Sequence, residues 1–362
     1  MTERISPRDD LRALEGYHSP QLDVVVRLNT NESPFAPPKD FVEEWTRSIA
    51  EESYNRYPDR AATELRTAIG KVFSQDRERV FAANGSNEVL QTILLTYGGT
   101  GRSCLVFEPT YALHSHIARI AGTTVTDGAR TEDFLIDIES AVQQISDSRP
   151  AVTFVCSPNN PTGTIEPLST IYALLAAVAE VGGLLVVDEA YGDFNDSSAI
   201  SLLAEATPLV VVRTYSKVWS LAGLRLGYCI APEWIISELD KVVLPYHLSI
   251  EKQLAGVLAL SYAAEMEARV HALIEERERL TKDLRKLGAI TVFPSGANFI
   301  LFRVAGNAGA VWQAMVRQGV LIRDFSRWDR VEECLRVTVG TRAENDAMLS
   351  ALRTALEEIG IA

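Results

Sequence analysis

The chain has 362 residues, 47% of them hydrophobic, and carries a formal net charge of −13 at pH 7 with a pI of about 5.0. This length and apolar content suffice for one large core or for two domains. An acidic chain without a basic cluster argues against nucleic acid or an anionic membrane as a partner. No apolar run approaches the roughly 20 residues of a membrane span. The polar start MTERISPRDD predicts no signal peptide, and therefore a cytoplasmic location.

The first 50 residues are rich in proline and are predicted to form an irregular arm that packs on another part of the protein. From about residue 60, stretches with helical spacing alternate with short apolar runs. The helical stretches are ATELRTAIGKVF, SNEVLQTILLTY, HSHIARIAG and STIYALLAAVAEVG, and the apolar runs are RVFAA, CLVFE, AVTFVC, LLVV and LVVVRT. This alternation predicts a mostly parallel sheet that is covered by helices on both faces.

The run GYCIA is predicted to be antiparallel to its neighbour, because the segment from Lys217 to Gly227 is too short for a crossover helix. Residues 249 to about 287 predict one long helix, broken or kinked near its middle. Three later runs predict the strands of a second, smaller layer: AITVFPSGANFILFRV, GVLIRD and CLRVTVGT. The sequence TRAE at 341–344 is a capping box that opens the last helix.

These patterns predict a division of the chain into three segments. Residues 1–49 form an arm that packs with the small domain, and residues 50–250 form a large α/β domain. Residues 251–362 form an interdomain helix and a small C-terminal α/β domain.

The cysteines and histidines do not predict a metal site. The four cysteines are far apart, lie in or beside apolar runs and form no CxxC pair. They are therefore predicted to be buried thiols of a cytoplasmic protein. His114 and His116 stand two residues apart, which places them on opposite faces of a strand or well apart on a helix, a poor arrangement for a metal.

Polar residues follow each of the five predicted strands. The endings are NGSNE, PTY, SPNNPTG, DEAY and YSK. In doubly wound sheets, ligands bind beyond the carboxyl ends of the strands. Five such endings, with an aspartate and a lysine among them, predict a binding or catalytic site at this edge of the sheet.

Two features of these endings point to an anionic ligand with a cationic ring. At NGSNE a glycine turn precedes a helix, whose first backbone N–H groups form an anion site; the alternative is an ordinary helix cap by Ser86 or Asn87. Ser216 and Arg225 flank Lys217 and could complete a phosphate cup. Asp188 follows four apolar residues, and a buried aspartate needs a cation or several donors. A protonated ring nitrogen would serve.

The motifs SPNNPTG, DEAY and SK…GLRLGY, in this order and spacing, resemble those of the fold-type I pyridoxal-phosphate-dependent aminotransferases. The resemblance covers nearly the whole chain. Within that family, RLNTNESP, NRYPD, LPYHLS and LRVTVGT…END are most similar to the histidinol-phosphate aminotransferase subfamily. The resemblance implies a seven-stranded, mostly parallel sheet in the large, cofactor-binding domain. It also implies pyridoxal 5′-phosphate as cofactor, small-molecule substrates and a homodimer with shared active sites.

The resemblance also implies the roles of the catalytic residues. Lys217 forms an imine with the cofactor aldehyde and then moves the proton between the substrate Cα and the cofactor C4′. Asp188 holds the pyridine nitrogen protonated. Asn160 and Tyr191 hydrogen-bond the phenolic oxygen, and Tyr111 stacks on the ring.

The remaining implied roles concern the phosphate and the substrate. The cofactor-binding set on the phosphate side is Gly85, Ser86, Asn87, Thr214, Ser216 and Arg225, with Tyr57 reaching the phosphate held by the partner subunit. Arg336 takes the substrate carboxylate in a bidentate contact. The other residues implied at the substrate end are Arg323, Tyr17, Asn31, Asn160 and Tyr246.

Three residues depart from the subfamily pattern: Ser33, His114 and Trp219. They are expected near the substrate side of the site or its entrance. The implied reaction exchanges an amino group between L-histidinol phosphate and 2-oxoglutarate, in histidine biosynthesis. The alternatives are an aromatic amino acid aminotransferase, a phospho-amino-acid decarboxylase on the same fold, and a non-catalytic cofactor-binding regulator. The regulator is disfavoured by the presence of Lys217 and by an arm too irregular for a DNA-binding winged helix.

Overall fold

The computed structural model describes residues 5–12, 14–16 and 19–361. The strands are β1 (Val26–Leu28), β2 (Val80–Ala83), β3 (Ser103–Glu108), β4 (Thr124–Ala129), β5 (Val152–Cys156), β6 (Leu184–Asp188), β7 (Leu209–Thr214), β8 (Gly227–Ile230), β9 (Ile290–Val292), β10 (Phe299–Val304), β11 (Val320–Asp324) and β12 (Cys334–Thr338). The α-helices are α1 (Lys39–Ala50), α2 (Thr63–Val72), α3 (Ser86–Tyr97), α4 (Leu113–Ile120), α5 (Ile138–Ser148), α6 (Leu168–Glu180), α7 (Glu233–Val242), α8 (Ile250–Leu260), α9 (Ala263–Leu284), α10 (Ala308–Arg317) and α11 (Arg342–Ile359).

The large sheet has seven strands in the order β2-β8-β7-β6-β5-β3-β4. β8 runs antiparallel to both of its neighbours, and the other adjacent pairs are parallel. Both the mostly parallel sheet and the reversed GYCIA strand are thereby confirmed. The two strands β6 and β7 are buried at every residue, because helices cover both faces of the sheet.

Alternate residues of each central strand pack on opposite helical layers. Val210 and Val212 of β7 face a core that includes residues of α3, α4 and α7. Leu209 and Val211 face a core built with α5 and α6. The sheet is thus held between two hydrophobic layers, and its carboxyl edge is left free to carry polar groups.

A second sheet of five strands has the order β1-β11-β12-β10-β9. β1 pairs in parallel with β11, whereas the other pairs are antiparallel. Its core includes residues of α9, α10 and α11. The predicted capping box is present at the start of α11, between Thr341 and Glu344. The division into three segments stays a prediction, although the pairing of β1 ties the beginning of the chain to this smaller sheet.

The structure corrects the expected irregular arm. Residues Lys39–Ala50 form α1, which packs through Phe41 and Trp45 rather than remaining irregular. Trp45 donates through its indole N–H to the carbonyl of Glu251 at 2.9 Å. The helix begins directly after Pro38, and its apolar residues recur at helical spacing, a signal that the high proline content of the arm conceals.

The predicted long helix with a central break is seen as α8 and α9, which residues 261–262 separate. The four cysteines are buried free thiols, as predicted. Within the described ranges, no helix is long and apolar enough to cross a lipid bilayer. The same part of the chain holds no group of three or more His, Cys, Asp or Glu side chains arranged for a metal ion.

Candidate active site

A cleft of about 190 Å³ lies at the carboxyl edge of the large sheet. The small sheet and the segment around Asn31 close its other side. The lining residues are Ser19, Asn29, Thr30, Asn31, Ser86, Asn87, Tyr111, Cys156, Asn160, Asp188, Ala190, Tyr191, Thr214, Ser216, Lys217, Arg225, Arg323 and Arg336. The polar strand endings therefore do converge on one site.

Lys217 follows β7 and points into this cleft. Its Nζ donates to the carbonyl oxygen of Thr30 at 3.1 Å and lies 5.5 Å from the centroid of the Tyr191 ring. Burial, followed by the positive charge of Arg336, lowers the pKa of the lysine to about 8. An amine with such a pKa is neutral in a substantial fraction of molecules near pH 7–8, as a nucleophile or a base requires.

Asp188 is the last residue of β6 and is only 1% exposed. Its Oδ1 accepts the backbone N–H of Ala190 at 3.1 Å, and its Oδ2 lies 2.9 Å from Nε2 of His114. Both oxygens of the buried aspartate thus have a hydrogen-bond partner within the protein, and the residue also lines the cleft. It supplies one of the few negative charges in a cleft that is otherwise cationic.

An anion cradle lies at the start of α3. Gly85 precedes this helix with φ +84°, and no side chain caps the helix. A Cβ on Gly85 would stand 2.6 Å from Nη2 of Arg225, and a Cβ on Gly227 would stand 2.3 Å from the backbone nitrogen of Ser86. Only glycine permits these two approaches. The ordinary side-chain cap, which the sequence offered as an alternative, is not formed. The first backbone N–H groups of the helix therefore remain available to an anion.

Hydroxyl groups and a guanidinium extend this cradle. Arg225, in the left-handed region with φ +58°, donates through Nη1 to Ser216 Oγ at 3.2 Å. Ser216 Oγ in turn lies 3.0 Å from Thr214 Oγ1, and both serine and threonine line the cleft. Backbone amides, hydroxyls and an arginine together are the usual donors for a phosphate group.

The two asparagines of SPNNPTG have different tasks. Asn159 is fully buried and donates to the carbonyl of Pro109 and to Thr162, both at 2.9 Å. Asn160 lines the cleft, and its Oδ1 accepts from Nη1 of Arg336. Asn159 therefore supports the loop before Tyr111, whereas Asn160 faces the cleft.

Tyr111 and Tyr191 line the same cleft as Asn160. The Tyr111 hydroxyl donates to Oδ1 of Asn87 at 3.1 Å. Asn31 donates through Nδ2 to the Tyr191 hydroxyl at 2.9 Å, and burial raises the pKa of that phenol. Tyr191 consequently stays a neutral O–H group that can donate to an oxygen of a ligand.

Two arginines meet at the far end of the cleft. Arg323 of β11 and Arg336 of β12 are directly opposite in the antiparallel ladder, and both are buried. Arg323 donates to Ser19 Oγ at 3.0 Å, and Arg336 donates to the carbonyl of Asn29 at 2.8 Å. Like charges opposite each other in a sheet are destabilising, so this pair is suited to an anionic ligand.

Several residues expected at the site are placed elsewhere. Tyr57 and Tyr246 stack on each other with centroids 4.4 Å apart, are 79% and 42% exposed, and do not line the cleft of their own chain. Tyr17 lies outside the described residues. The two tyrosines form an exposed aromatic surface that a second chain could cover.

The expectation that Ser33, His114 and Trp219 lie near the substrate side of the site or its entrance stays a prediction, and none of them lines the cleft itself. The Ser33 hydroxyl accepts from Ser220 at 3.0 Å, and Trp219 packs on Tyr215 with centroids 5.5 Å apart. His114 lies behind Asp188. Sequence reasoning missed this contact because the two residues are 74 positions apart and meet only when α4 packs on the sheet.

The cleft fits pyridoxal 5′-phosphate on three structural features. The glycine-dependent cradle at Gly85 suits a phosphate group, and Asp188 suits a protonated pyridine nitrogen. Lys217 suits an aldehyde, because its pKa is lowered. Tyr111 and Asn160 line the same cleft.

Comparisons with known proteins agree with this geometry. Residues 23–352 match the model of the family "Aminotransferase class I and II". The chain is 43% identical over 361 residues to a histidinol-phosphate aminotransferase of Corynebacterium diphtheriae, covering 97% of this chain and 96% of that protein. It is 45% identical over 355 residues to one of Thermobifida fusca, covering 96% and 95%.

Among solved structures, the fold resembles that of histidinol-phosphate aminotransferase from Sinorhizobium meliloti in complex with pyridoxal-5′-phosphate. The TM-score is 0.84 at 20% identity, covering 93% of this chain and 92% of that chain. At this level of identity the likeness concerns the fold alone. The family match over most of the chain, together with the long alignments above 40% identity, shows that this protein belongs to the class I and II aminotransferase family.

Proposed function

We propose that the protein is a pyridoxal-phosphate-dependent aminotransferase that exchanges an amino group between L-histidinol phosphate and 2-oxoglutarate, yielding imidazole-acetol phosphate and glutamate. The reaction is reversible and belongs to histidine biosynthesis. One observation carries the proposal: a chain of net charge −13 gathers Lys217, Arg225, Arg323 and Arg336 in one cleft. Such a cleft suits an anionic cofactor and anionic substrates. The names of the relatives support the choice of amino donor.

Pyridoxal phosphate supplies an aldehyde that accepts the amino group and a ring that withdraws electrons from the reacting carbon. The start of α3, Ser216 and Arg225 would hold its phosphate. Asp188 would bind the ring N–H, Asn160 and the Tyr191 hydroxyl would donate to its phenolic oxygen, and Tyr111 would cover the ring.

Lys217 has two tasks in this proposal. Its Nζ would hold the cofactor at its aldehyde, and as a neutral amine it would take the proton from the substrate Cα. A pKa of about 8 suits both tasks, because the amine must be neutral to attack and basic enough to accept a proton. The carbonyl of Thr30, 3.1 Å away, orients Nζ.

The two arginines of the small sheet explain how one cleft takes two unlike substrates. A guanidinium binds a carboxylate or a phosphate with similar bidentate geometry. Arg336, bonded to Asn160 and the Asn29 carbonyl, would take the carboxylate of glutamate in one half-reaction and contact the phosphate of the donor in the other. Arg323 would take mainly the phosphate of the other donor.

The proposal includes a cytoplasmic homodimer in which Tyr57 reaches the cofactor phosphate of the partner subunit. The position of Tyr57 supports this assembly. Tyr57 stacks on Tyr246 at the protein surface and does not line the cleft of its own chain. Mixing Lys217→Ala with Tyr57→Ala chains tests the sharing. Random hybrids would restore roughly a quarter of the sites, whereas no recovery, or a monomer in light scattering, would contradict it.

A panel of amino donors tests the substrate. An aromatic amino acid lacks the distal anion and would forgo the charged contact with Arg323, at a cost of about 1–3 kcal/mol. Histidinol phosphate is therefore expected to exceed phenylalanine in kcat/KM by one to two powers of ten. Phenylalanine as the equal or better donor would favour an aromatic aminotransferase. Release of carbon dioxide from a phosphorylated amino acid would favour a decarboxylase.

A further inference from the structure

A strap of chain, defined here as residues 29–36, helps to close the cleft on the side away from the large sheet. The Thr30 carbonyl accepts from Nζ of Lys217 at 3.1 Å, and Asn31 donates through Nδ2 to the Tyr191 hydroxyl at 2.9 Å. The strap therefore contacts two side chains to which the proposed function assigns a task.

The first half of the strap is anchored to the small sheet. β1 precedes it and pairs with β11, and the Asn31 N–H donates to Oγ1 of Thr338 at 2.9 Å. Nδ2 of Asn298 donates to the Asn31 carbonyl at 3.1 Å. These contacts fix the strap as far as Asn31, so the position of its second half depends on other residues.

Two serine hydroxyls and an arginine hold the second half of the strap. The Ser220 hydroxyl donates to Oγ of Ser33 at 3.0 Å, and the same Oγ accepts the backbone N–H of Phe35 at 3.3 Å. Arg269 of α9 donates through Nη1 to the Ala36 carbonyl at 2.7 Å and to Oγ of Ser220 at 3.5 Å. A guanidinium can only donate, so the hydroxyl hydrogen of Ser220 is directed to Ser33.

Ser220 makes these contacts from a strained backbone conformation. It belongs to the lysine loop, defined here as residues 217–220, and has φ +57°. Residues with a Cβ rarely adopt this left-handed region, and such strain persists only where surrounding contacts hold the residue in place. The hydrogen bonds with Ser33 and Arg269 are contacts of this kind. They tie the lysine loop to the strap.

We propose that Ser33 and Ser220 are positioning residues, whose hydrogen bond fastens the strap to the lysine loop and so fixes the substrate end of the cleft. The inference rests on the proposed function, because it concerns the substrates of that reaction. Asn29, the first residue of the strap, accepts from Arg336 at 2.8 Å. Loosening the strap therefore weakens substrate binding, whereas the phosphate cradle is built from other residues.

Removal of either hydroxyl tests the pair. In Ser220→Ala and in Ser33→Ala, KM for both histidinol phosphate and glutamate should rise about threefold to tenfold, as for one lost hydrogen bond. kcat, and the dissociation constant of pyridoxal phosphate from equilibrium dialysis, should stay within about twofold of the parent. Ser33→Thr keeps the hydroxyl and should keep most of the parental KM. Parental KM values in both alanine variants would overturn the inference.

Ser220→Gly separates positioning from stability. Glycine adopts φ +57° without strain, so this variant should melt at or above the temperature of the parent. Its KM should nevertheless rise as in Ser220→Ala, because the hydroxyl is gone. A parental KM in Ser220→Gly would mean that the serine serves stability only, and the inference would be wrong.

A matched control lies shortly after α2. Ser74 is exposed and has φ +55°, and it does not line the cleft. Ser74→Ala therefore removes a serine hydroxyl from the same backbone conformation at a distant site, and KM should stay within about twofold of the parent. An increase in KM as large as that of Ser220→Ala would contradict a specific role of the serine pair.

A double-mutant cycle shows whether the two serines act through one bond. Ser33→Ala combined with Ser220→Ala should raise KM little beyond the larger of the two single effects, since either substitution already breaks the bond. Additive increases would show that the two hydroxyls act separately and would contradict the pairing.

Hydrogen exchange of the full chain without added cofactor tests the fastening independently of catalysis. Backbone amides of the strap should exchange about threefold to tenfold faster in Ser33→Ala and Ser220→Ala than in the parent, and at the parental rate in Ser74→Ala. Unchanged exchange in both strap variants would overturn the inference. A parent protein that transaminates neither substrate would instead refute the proposed function and leave the exchange result standing, so the two failures are distinguishable.

Discussion

The two walls of the cleft are built in different ways. The cofactor wall is defined here as Ser86, Asp188, Ser216, Lys217 and Arg225. These residues lie at the ends of neighbouring strands of the large, mostly parallel sheet. The substrate wall, defined as Asn29–Asn31, Arg323 and Arg336, joins the β1 end of the chain to two strands of the small sheet. The first wall is set by the backbone of a single sheet, whereas the second depends on how distant segments pack together.

This difference separates the chemistry from the choice of substrate. Changes to the cofactor wall should affect every amino donor alike, because all of them react at the same group. Changes to the substrate wall should alter the ranking of donors and leave cofactor binding largely intact. Each of the following experiments tests one side of this separation.

The largest effect is expected at Lys217. Lys217→Ala removes the amine that moves the proton, and the rate should fall by about 10²- to 10⁴-fold with every donor. Steady-state kinetics with histidinol phosphate and with glutamate would measure this loss. Borohydride reduction followed by peptide mapping should place the cofactor on Lys217 in the parent, and Lys241→Ala, at an exposed site, should behave as the parent.

The two arginines of the substrate wall should separate the two half-reactions. Arg336→Ala should reduce kcat/KM for both glutamate and histidinol phosphate by roughly 10- to 100-fold, because a buried charged contact is lost in each. Arg323→Ala should damage mainly the reaction with the phosphate-bearing donor. Pyridoxal phosphate affinity should change little in either variant. Equal damage by both variants in both reactions would mean that the arginines act as one unit.

The pH dependence of stability is expected to reveal the buried amine. The folded-state pKa of Lys217 is about 8, against 10.5 for the free side chain. Below pH 8 folding must bury a charged amine, so the penalty is complete. Between the two values the unfolded chain binds more protons, and stability rises with pH.

Lys217→Met should therefore stabilise the cofactor-free protein by on the order of 2 kcal/mol at neutral pH, a value reduced for the partial access of water to the cleft. The advantage should shrink as the pH approaches 10.5. Urea unfolding at several pH values measures it. A gain that does not depend on pH would mean that packing, and not charge, is responsible.

The phosphate cradle offers a paired test on two glycines. Gly85→Ala introduces a Cβ at φ +84° and 2.6 Å from Nη2 of Arg225, so cofactor affinity should fall about tenfold. Gly223→Ala lies in the loop before Arg225 and meets no atom within 4 Å, which makes it a matched control. Donor ranking should stay the same in both. A cofactor affinity in Gly85→Ala equal to that of the control would contradict the cradle.

The smallest effect is expected at a contact that joins the two sheets and includes no residue of either wall. Arg330, in the loop between β11 and β12, pairs with Asp127 at 2.9 Å and donates to the Glu108 carbonyl at 2.9 Å, two residues before Thr110. Both charged side chains are partly exposed, and such pairs contribute little. Arg330→Ala should raise KM for the donors by about twofold to fivefold and leave the cofactor affinity unchanged. A larger change in cofactor affinity than in KM would contradict the separation of the two walls.

Much of the cofactor wall is determined by the sequence alone. Apolar strands that end in polar residues place those residues at one edge of a parallel sheet, whatever the details of packing. Lys217, Asp188, Ser216 and Arg225 are therefore identified by local pattern and order. The antiparallel strand β8 is predictable for a similar reason, since the length of a connection limits the direction of the strand that follows it.

Only the tertiary structure decides which residues stand behind and across from that wall. Two of these contacts join residues that are distant in sequence: His114 with Asp188, and Arg323 with Arg336. A third point is that Asn160, and not the adjacent Asn159, contacts Arg336. The packing of helix α1 is likewise decided only by the tertiary structure, which places the apolar face of α1 against α8. Packing and strand pairing between distant segments set these contacts, whereas the order of strand endings within one sheet sets the positions that the sequence reveals.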